Sequence, residues 1–415
     1  MSFSVAMLTN RFPVRSETFI VRQIAGLMER GIHVDIYSRH GTDGNCLPLQ
    51  PDIRKFKMLD RLYHQSIKPK PWYPSTRLHR LARKLNKYLL NRRWKGLPRL
   101  GRIEPGSRRG RKPYDIVHCQ FGYLGLALSE LPAHRIGLLS GKLVVALRGS
   151  DISQYVQEHG ERVYDELFRR ADLFLANCEH FRHRAIKLGC DPEKVAVLGS
   201  GIDLNQFSYS GGRAQRDGLV RILGVGRLVE KKGFEFAIRA VARLIKDRGN
   251  ISFEIIGYGP LRGKLQQLIC DLGVEESIRL VGPRNSPDIV DKLRRSDLFV
   301  ATSVTSQRGN QDAAVNTLKE AMAVGLPVLA TRHGGIPELV EDGVCGFLVP
   351  ERNVEALADR LANLIDHPDL WPDFGLAGRR RVEKLYDINR LTDDLVETYE
   401  RLLGQRLPLA ASGPN

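Results

Sequence analysis

Short apolar runs alternate with amphipathic stretches along most of this chain, and the pattern occurs twice. That rhythm restricts the fold more than any other feature. In the first half the runs are residues 3–9, 34–38, 116–119, 143–147, 173–176 and 194–198; in the second they are 220–225, 252–256, 278–281, 297–302, 327–330 and 346–349. Each is rich in Val, Ile, Leu and Phe and too short for a buried helix, so each predicts a strand buried on both faces. Helical periodicity fills the gaps, as at 17–30, 179–188, 233–247, 261–272, 317–323 and 354–365. Alternating strands and helices build parallel sheets covered on both sides, and two series predict two doubly wound α/β domains facing a central cleft. Ligands of such sheets bind at the carboxyl ends of the strands.

The boundary is expected within 201–221, where the string SYSGGRAQRDG is rich in Gly and Ser and has no periodicity. The reading is therefore residues 1–203 as one Rossmann-like domain, 204–388 as a second, and 389–415 as a closing helix and tail that crosses back to the first. That helix is read over 391–403, with Gly404 as its stop. The end of the chain, LPLAASGPN, reads as frayed.

Composition excludes several classes. Hydrophobic residues are 42% and charged residues 27% of 415, which suits a globular chain and neither a disordered nor a collagen-like one. No window approaches about 18 uncharged apolar residues, so no membrane-spanning helix is predicted. The start, MSFSVAMLTNRFPV, lacks the basic and apolar regions of a secretory signal. The six cysteines, at 46, 119, 178, 190, 270 and 345, form no CxxC and no zinc-finger spacing. They read as buried thiols of a reducing compartment, and the expected location is cytoplasmic, with no metal and no cofactor.

The net charge of +17 is concentrated: residues 61–112 hold 17 Lys and Arg against one acid, Glu104. Residues 41–112 also break the alternation and show no convincing strand. Within them Leu78, Leu81, Leu85 and Leu89 recur at helical spacing among cations, flanked by Trp72, Tyr73 and Trp94. Two readings stand: a solvated helix packed by its Leu stripe, or a contact with an anionic membrane surface that would make the protein peripheral on the inner face of the cytoplasmic membrane. Nucleic acid is not an expected partner, because no groove-reading module accompanies the charge.

The residues that carry chemistry lie mainly between 220 and 349. VRILGVGRLVEKKGFEF ends a strand in Gly224 and Gly226 and sets Arg227 and Lys232 before a helix, a placement that suits a diphosphate. FEIIGYGPLRGKL repeats the strand–Gly–helix turn at Gly257. A long loop then leads through Asp312, Asn316 and Thr317 into a helix with Glu320, ending at Gly325. RHGGIPELV gives a further Gly-rich turn.

This layout resembles the retaining GT-B-fold glycosyltransferases of family four (glycosyl transferases group 1), over nearly the whole chain. The family's E-x7-E followed by A-x-A-x-G-x-P-V is similar to DAAVNTLKEAMAVGLPV, with Asp312 and Glu320 as the pair. G-G-x-P-E is present at Gly334–Glu338, D-G-x-x-G-F-L-V at Asp342–Val349, and G-R-L-x-x-x-K-G at Gly226–Gly233. In the first half HCQFG resembles H-x-H-F-G, with His118 kept and Gln120 in the second His position. LRGSDIS resembles H-G-x-D, with Arg148 in the His position and Asp151 kept. FPVRSETF resembles a segment of the exopolysaccharide and colanic-acid assembly branch, which builds repeat units on a lipid carrier.

The resemblance implies a metal-independent, retaining hexosyltransferase that takes a nucleoside-diphosphate sugar as substrate and a glycolipid or polysaccharide precursor as acceptor. It implies that Arg227 and Lys232 hold the leaving diphosphate and that Glu320 binds the nucleotide ribose. Asp312 then faces the sugar, while Asn316, Thr317 and Gly257 complete the donor site. It puts His118, Gln120, Arg148 and Asp151 on the acceptor side, in the domain 1–203, and the donor in 204–388. Asp312 is one methylene shorter than the usual Glu, and Arg148, always charged, favours a donor or acceptor bearing a carboxylate or phosphate. His118 reads either as a general base or as a structural histidine at a strand end. Two alternatives stay open: a non-catalytic sugar-nucleotide-binding scaffold, and a dehydrogenase, whose G-x-G-x-x-G with a following acid is missing.

Overall fold

In the computed structural model residues 3–14, 17–40, 51–64, 113–129, 140–211 and 218–404 are described. The chain divides into two compact units: Met1–Leu175 with Ala185–Ala196 and Val396–Asn415, and Ala176–Arg184 with Val197–Leu395. The last helix, Ile388–Leu402, begins in one unit and ends in the other. Its end is marked by Gly404 at φ +70°.

The first unit is built on β1 (Ser4–Arg11), β2 (His33–His40), β3 (Leu62–His64), β4 (Ile116–Cys119), β5 (Lys142–Leu147), β6 (Leu173–Ala176) and β7 (Val195–Val197), ordered β3-β2-β1-β4-β5-β6-β7. The second is built on β8 (Val220–Val225), β9 (Ile251–Ile256), β10 (Ile278–Gly282), β11 (Leu298–Ala301), β12 (Val328–Thr331) and β13 (Gly346–Val349), ordered β10-β9-β8-β11-β12-β13. Both sheets start in the middle and grow outward in two directions, so strand order reverses beside β1 and beside β8, the switch points where doubly wound sheets place ligands. The β1–β2, β1–β4, β8–β9 and β8–β11 pairs are parallel.

Both faces of the second sheet are covered. Ile222 and Val300 are buried on one side with the helices Phe234–Asp247 and Val354–Asp366, while their neighbours Leu223 and Phe299 are buried on the other with Asn316–Val324. Successive strand residues point to opposite faces, so a strand buried on both reads as an unbroken apolar run. The same holds in the first sheet, where Val5, Met7, Ile36, Val117 and Val144 are all buried.

Three aspartates fix strand register in one common way. Asp115, Asp172 and Asp297 each precede a strand, and each donates its own N–H to a carbonyl of the neighbouring strand: Ser4 at 3.1 Å, Leu143 at 3.0 Å and Arg221 at 2.8 Å. Each carboxylate then accepts the N–H of that same residue, at 2.7, 2.8 and 2.8 Å respectively. The lock satisfies N–H groups at the beginnings of interior strands, where the ladder starts. In the sequence it appears as Asp followed by two apolar strand residues, in YDIV, ADLF and SDLF.

The structure corrects several expectations. A strand does exist within 41–112: β3 pairs in parallel with β2, and Tyr63 stacks on Tyr37 at 5.2 Å. Its three residues are too few to show a period. The string SYSGGRAQRDG is anchored at its start, where Ser210 donates its N–H at 3.1 Å and its hydroxyl at 3.0 Å to the Val324 carbonyl. The rest of that string, 212–217, lies outside the described residues, as do the Leu-striped basic segment around 72–94 and the tail from 405. A 16-residue helix, Trp371–Tyr386, escaped notice because its apolar residues are interrupted by Gly375, Gly378 and the run Arg379–Arg381.

Replacing Asp297 by Ala is expected to destabilise the second unit by about 1–3 kcal/mol, because the Arg221 N–H loses its acceptor. That should lower its Tm by roughly 2–10 °C at this unit size, with Asp297→Asn restoring most of the loss. Calorimetry showing the Ala variant melting with wild type would rule out the lock.

Candidate active site

The second unit collects most of the polar groups at one strand end. β8 stops at Val225, and Gly226–Lys232 turns into the helix Phe234–Asp247. Leu228 is 1% exposed and anchors the turn. Arg227 is exposed, its carbonyl accepts the Val229 N–H at 2.8 Å, and its guanidinium makes no hydrogen bond or ion pair among the described residues. Gly257 packs its backbone on this turn: a Cβ there would lie 1.8 Å from the Gly226 carbonyl oxygen, which requires glycine.

The next two cations do not point to solvent. Lys231 Nζ lies 2.8 Å from Asp312 Oδ1, and Lys232 Nζ lies 2.7 Å from Oδ2. Ser303, just after β11, donates its hydroxyl to Oδ2 at 2.9 Å. Burial alone would raise the Asp312 carboxyl, but the two ammonium groups outweigh it and hold it well below the usual carboxylate range. Burial lowers the Lys232 ammonium, against the pull of Asp312.

Backbone geometry brings Asp312 to the lysines. Its N–H donates to His333 Nε2 at 2.9 Å, and Gly334 lies directly against its carbonyl. Gly334 has φ +50°, and a Cβ would come within 1.9 Å of that oxygen, so only glycine fits. His333 Nδ1 lies 2.7 Å from Glu351 Oε1.

Asp312 leads into the helix Asn316–Val324. Thr317 Oγ1 donates to the Val225 carbonyl at 3.0 Å, tying the start of this helix to the end of β8. Glu320 is half-buried one turn further on. Lys319 is only 1% exposed; its ammonium donates to the Ser200 carbonyl at 2.7 Å, reaches Asn316 Oδ1 at 3.3 Å and lies 4.1 Å from the Tyr386 ring centroid. Arg227, Lys232, Gly257, Asp312, Asn316, Thr317 and Glu320 thus all belong to one unit, around the ends of β8 and β11.

The other four predicted residues lie at strand ends of the first unit. Asp151 is fully buried, and its carboxylate accepts the N–H groups of Gly122 at 2.8 Å, Arg148 at 3.0 Å and Gly149 at 2.8 Å. Arg148 is half-buried; it donates to the Gln120 side chain at 2.5 Å and carbonyl at 3.1 Å, and stacks over Phe19. Burial lowers it to about 10. His118 is fully buried, with Nδ1 2.5 Å from the Tyr399 hydroxyl. Burial, helped by Arg148, pushes it down to about 3, so its ring is neutral.

Sequence reasoning missed Lys231, Ser303, Lys319, His333, Glu351 and Tyr399. A signal existed for Lys319, which interrupts the apolar face of its helix between Leu318 and Ala321. It existed for Lys231 only as the doubled lysine. The His333–Glu351 contact joins different loops and leaves no local pattern. Among the described residues no group of three or more His, Cys, Asp or Glu is placed to hold a metal ion, and no helix is long and apolar enough to cross a membrane.

Known proteins resemble this chain in sequence and in fold. Residues 16–201 match the family model described as Glycosyl transferase 4-like domain, and 220–367 match Glycosyl transferases group 1. The amylovoran biosynthesis glycosyltransferase AmsK of Erwinia amylovora is 32% identical over 96% of this chain and 99% of its own. WcaL of Salmonella typhimurium, named for colanic acid biosynthesis, is 33% identical over 95% and 99%. Among solved structures Anabaena Alr3699/HepE, in complex with UDP and glucose, superposes with a TM-score of 0.71 at 19% identity, covering 96% of this chain and 100% of that one. That likeness concerns the fold, which is GT-B. With two domain matches in order and relatives above 30% identity along nearly its full length, the chain belongs to the group 1 glycosyl transferases.

Proposed function

We propose that this protein transfers a sugar from a nucleoside-diphosphate sugar to a lipid-linked or polysaccharide precursor during exopolysaccharide assembly, with retention of anomeric configuration. The observation that carries the reading is the charge balance of the second unit. Lys231 and Lys232 meet the carboxylate of Asp312, and Arg227 stands exposed in the same turn; counting Glu230, whose carboxylate accepts the Gln307 N–H, the turn and Asp312 hold three cations against two acids. The surplus is the charge that a departing diphosphate needs. In the step proposed, the bond from the anomeric carbon to the β-phosphate oxygen breaks, the acceptor oxygen bonds to that carbon on the same face, and the acceptor proton passes to the leaving phosphate. Arg227 and Lys232 stabilise the negative charge as it develops, a task that a divalent cation performs in other transferases.

Asp312 is tied down by two lysines and Ser303, which supports a role in facing the sugar rather than attacking it. Glu320, on the helix that Asp312 leads into, is assigned to the ribose hydroxyls. AmsK and WcaL are named for amylovoran and colanic acid biosynthesis, and HepE was solved with UDP, which supports an exopolysaccharide product and a nucleotide donor here. The basic segment 61–112 is assigned to the anionic inner face of the cytoplasmic membrane, where a lipid-linked acceptor would be met.

A panel of UDP-, GDP- and ADP-sugars with a polyprenyl-linked acceptor tests the activity itself. Arg227→Ala and Lys232→Ala should each lower turnover about 10²–10³-fold, the usual loss for one preorganised electrostatic donor. A folded double variant with wild-type turnover would remove the leaving-group role.

Glu320→Ala should weaken donor and free nucleotide alike, whereas Asp312→Ala should reduce transfer with nucleotide affinity kept. Titration calorimetry separates the two, and unchanged nucleotide affinity in Glu320→Ala would exclude the ribose contact.

For the basic segment, replacing Arg80, Arg83, Lys84, Lys87, Arg92 and Arg93 by Gln should release the protein from anionic liposomes. Each cation near such a surface contributes on the order of 1 kcal/mol. Activity on a soluble acceptor analogue should persist. Equal sedimentation with neutral and anionic vesicles would point to a packed helix instead.

A further inference from the structure

The loop between β11 and the helix Asn316–Val324 carries Asp312, and it is pinned from outside at two points. The N–H of Asp312 donates to His333 Nε2 at 2.9 Å. His333 Nδ1 contacts Glu351 Oε1 at 2.7 Å. Glu351 then accepts the N–H of Thr305 on Oε2 at 2.8 Å and the Thr305 hydroxyl on Oε1 at 3.3 Å. One carboxylate on the segment after β13 and one imidazole on the segment after β12 therefore fasten both Thr305 and Asp312.

The directions of these bonds are forced. A backbone N–H can only donate, so Nε2 must accept, and the ring carries its proton on Nδ1, facing the carboxylate. The bond sits in the interior, with His333 only 1% exposed. Hydrogen bonds of this kind hold a reacting group's orientation within tight limits when it is itself anchored by packing.

We propose that His333 and Glu351 are positioning residues of the transferase. They set the backbone of Asp312 so that its carboxylate meets Lys231 and Lys232, and they touch neither donor nor acceptor. This rests on the role given to Asp312 under the proposed function.

The test is a double-mutant cycle in the full chain, with turnover on the UDP-, GDP- and ADP-glucose panel and binding of UDP, GDP and ADP. His333→Leu should lower kcat roughly 10–100-fold, the range of outer-shell substitutions, while nucleotide affinity stays within about 3-fold. In an Asp312→Ala background the same change should cost less than about 3-fold, because residues acting through one another are not additive. Glu351→Ala should behave as His333→Leu, and Glu351→Gln, whose amide offers one acceptor where Glu351 uses both oxygens, should recover only part of the activity. Full multiplicative loss in the Asp312→Ala background, or wild-type kcat in a folded His333→Leu or Glu351→Ala variant, would overturn the proposal. Wild-type turnover in Asp312→Ala alone would instead refute the role of Asp312. Hydrogen exchange across 303–312 in unliganded Glu351→Ala gives a readout independent of any donor: faster exchange at the Asp312 amide is expected, and unchanged exchange overturns the pinning.

Discussion

A carboxylate buried between two lysines is the interaction around which the second unit is arranged. Removing three charges from water costs several kcal/mol per ion, and attraction repays it only with near-ideal geometry and further hydrogen bonds. Asp312 has both: bonds of 2.7 and 2.8 Å to the lysines and a third from Ser303. Meeting those distances requires the turn after β8, the loop after β11 and the turn after β12 to converge. Gly257 and Gly334 let two of these backbones touch where a side chain would part them. The cluster retains an excess of positive charge at the carboxyl end of a parallel sheet, the place where such folds bind anions.

The two sheets arrive at such strand ends by the same route. Each adds strands outward on both sides of a first strand, and each fixes the first crossing with an aspartate lock, Asp115 on Ser4 and Asp297 on Arg221. Their polar endowments then differ. In the second unit the charges stay charged, with Arg227 exposed. In the first, Asp151 is spent on three backbone N–H groups and His118 is neutral against Tyr399. A carboxylate holding three backbone donors fixes the shape of its turn.

Much of this was legible in the sequence, for a physical reason. Strands buried on both faces must be apolar throughout, so β4, β6, β8 and β13 appear with their full bounds. Glycines and cations at strand ends are visible because backbone contact and phosphate-type ligands leave few residue choices, which is how Arg227, Lys232 and Gly257 were found, whereas Asp312 came from the family resemblance of its paired-acid run. What escaped depends on pairing across distance. The run Arg379–Arg381 looks like a solvated face, yet Arg379 donates to the carbonyls of Phe207 and Ala323, and Arg381 to those of Leu339 and Glu338. Two of these arginines thus cap carbonyls at helix ends, which no reading of local charge could show.

The same distinction explains why Lys232 and Lys231, adjacent and chemically alike, carry different weight. Lys231 has its ammonium shared among Asp312, the Asn310 side chain and the Gln311 carbonyl, three successive residues of one loop. Lys232 has the carboxylate as its recorded side-chain partner and sits one residue from the helix Phe234–Asp247. A cation satisfied by three neighbours in place is held as structure, because a new ligand would have to replace three bonds at once. A cation balanced against one carboxylate can respond to a second anion at smaller loss, since the carboxylate keeps Lys231 and Ser303. In the transfer proposed above, the doubled lysine therefore divides the work: Lys231 keeps Asp312 ionised and in place, and Lys232, with Arg227, is assigned to the charge arriving from outside.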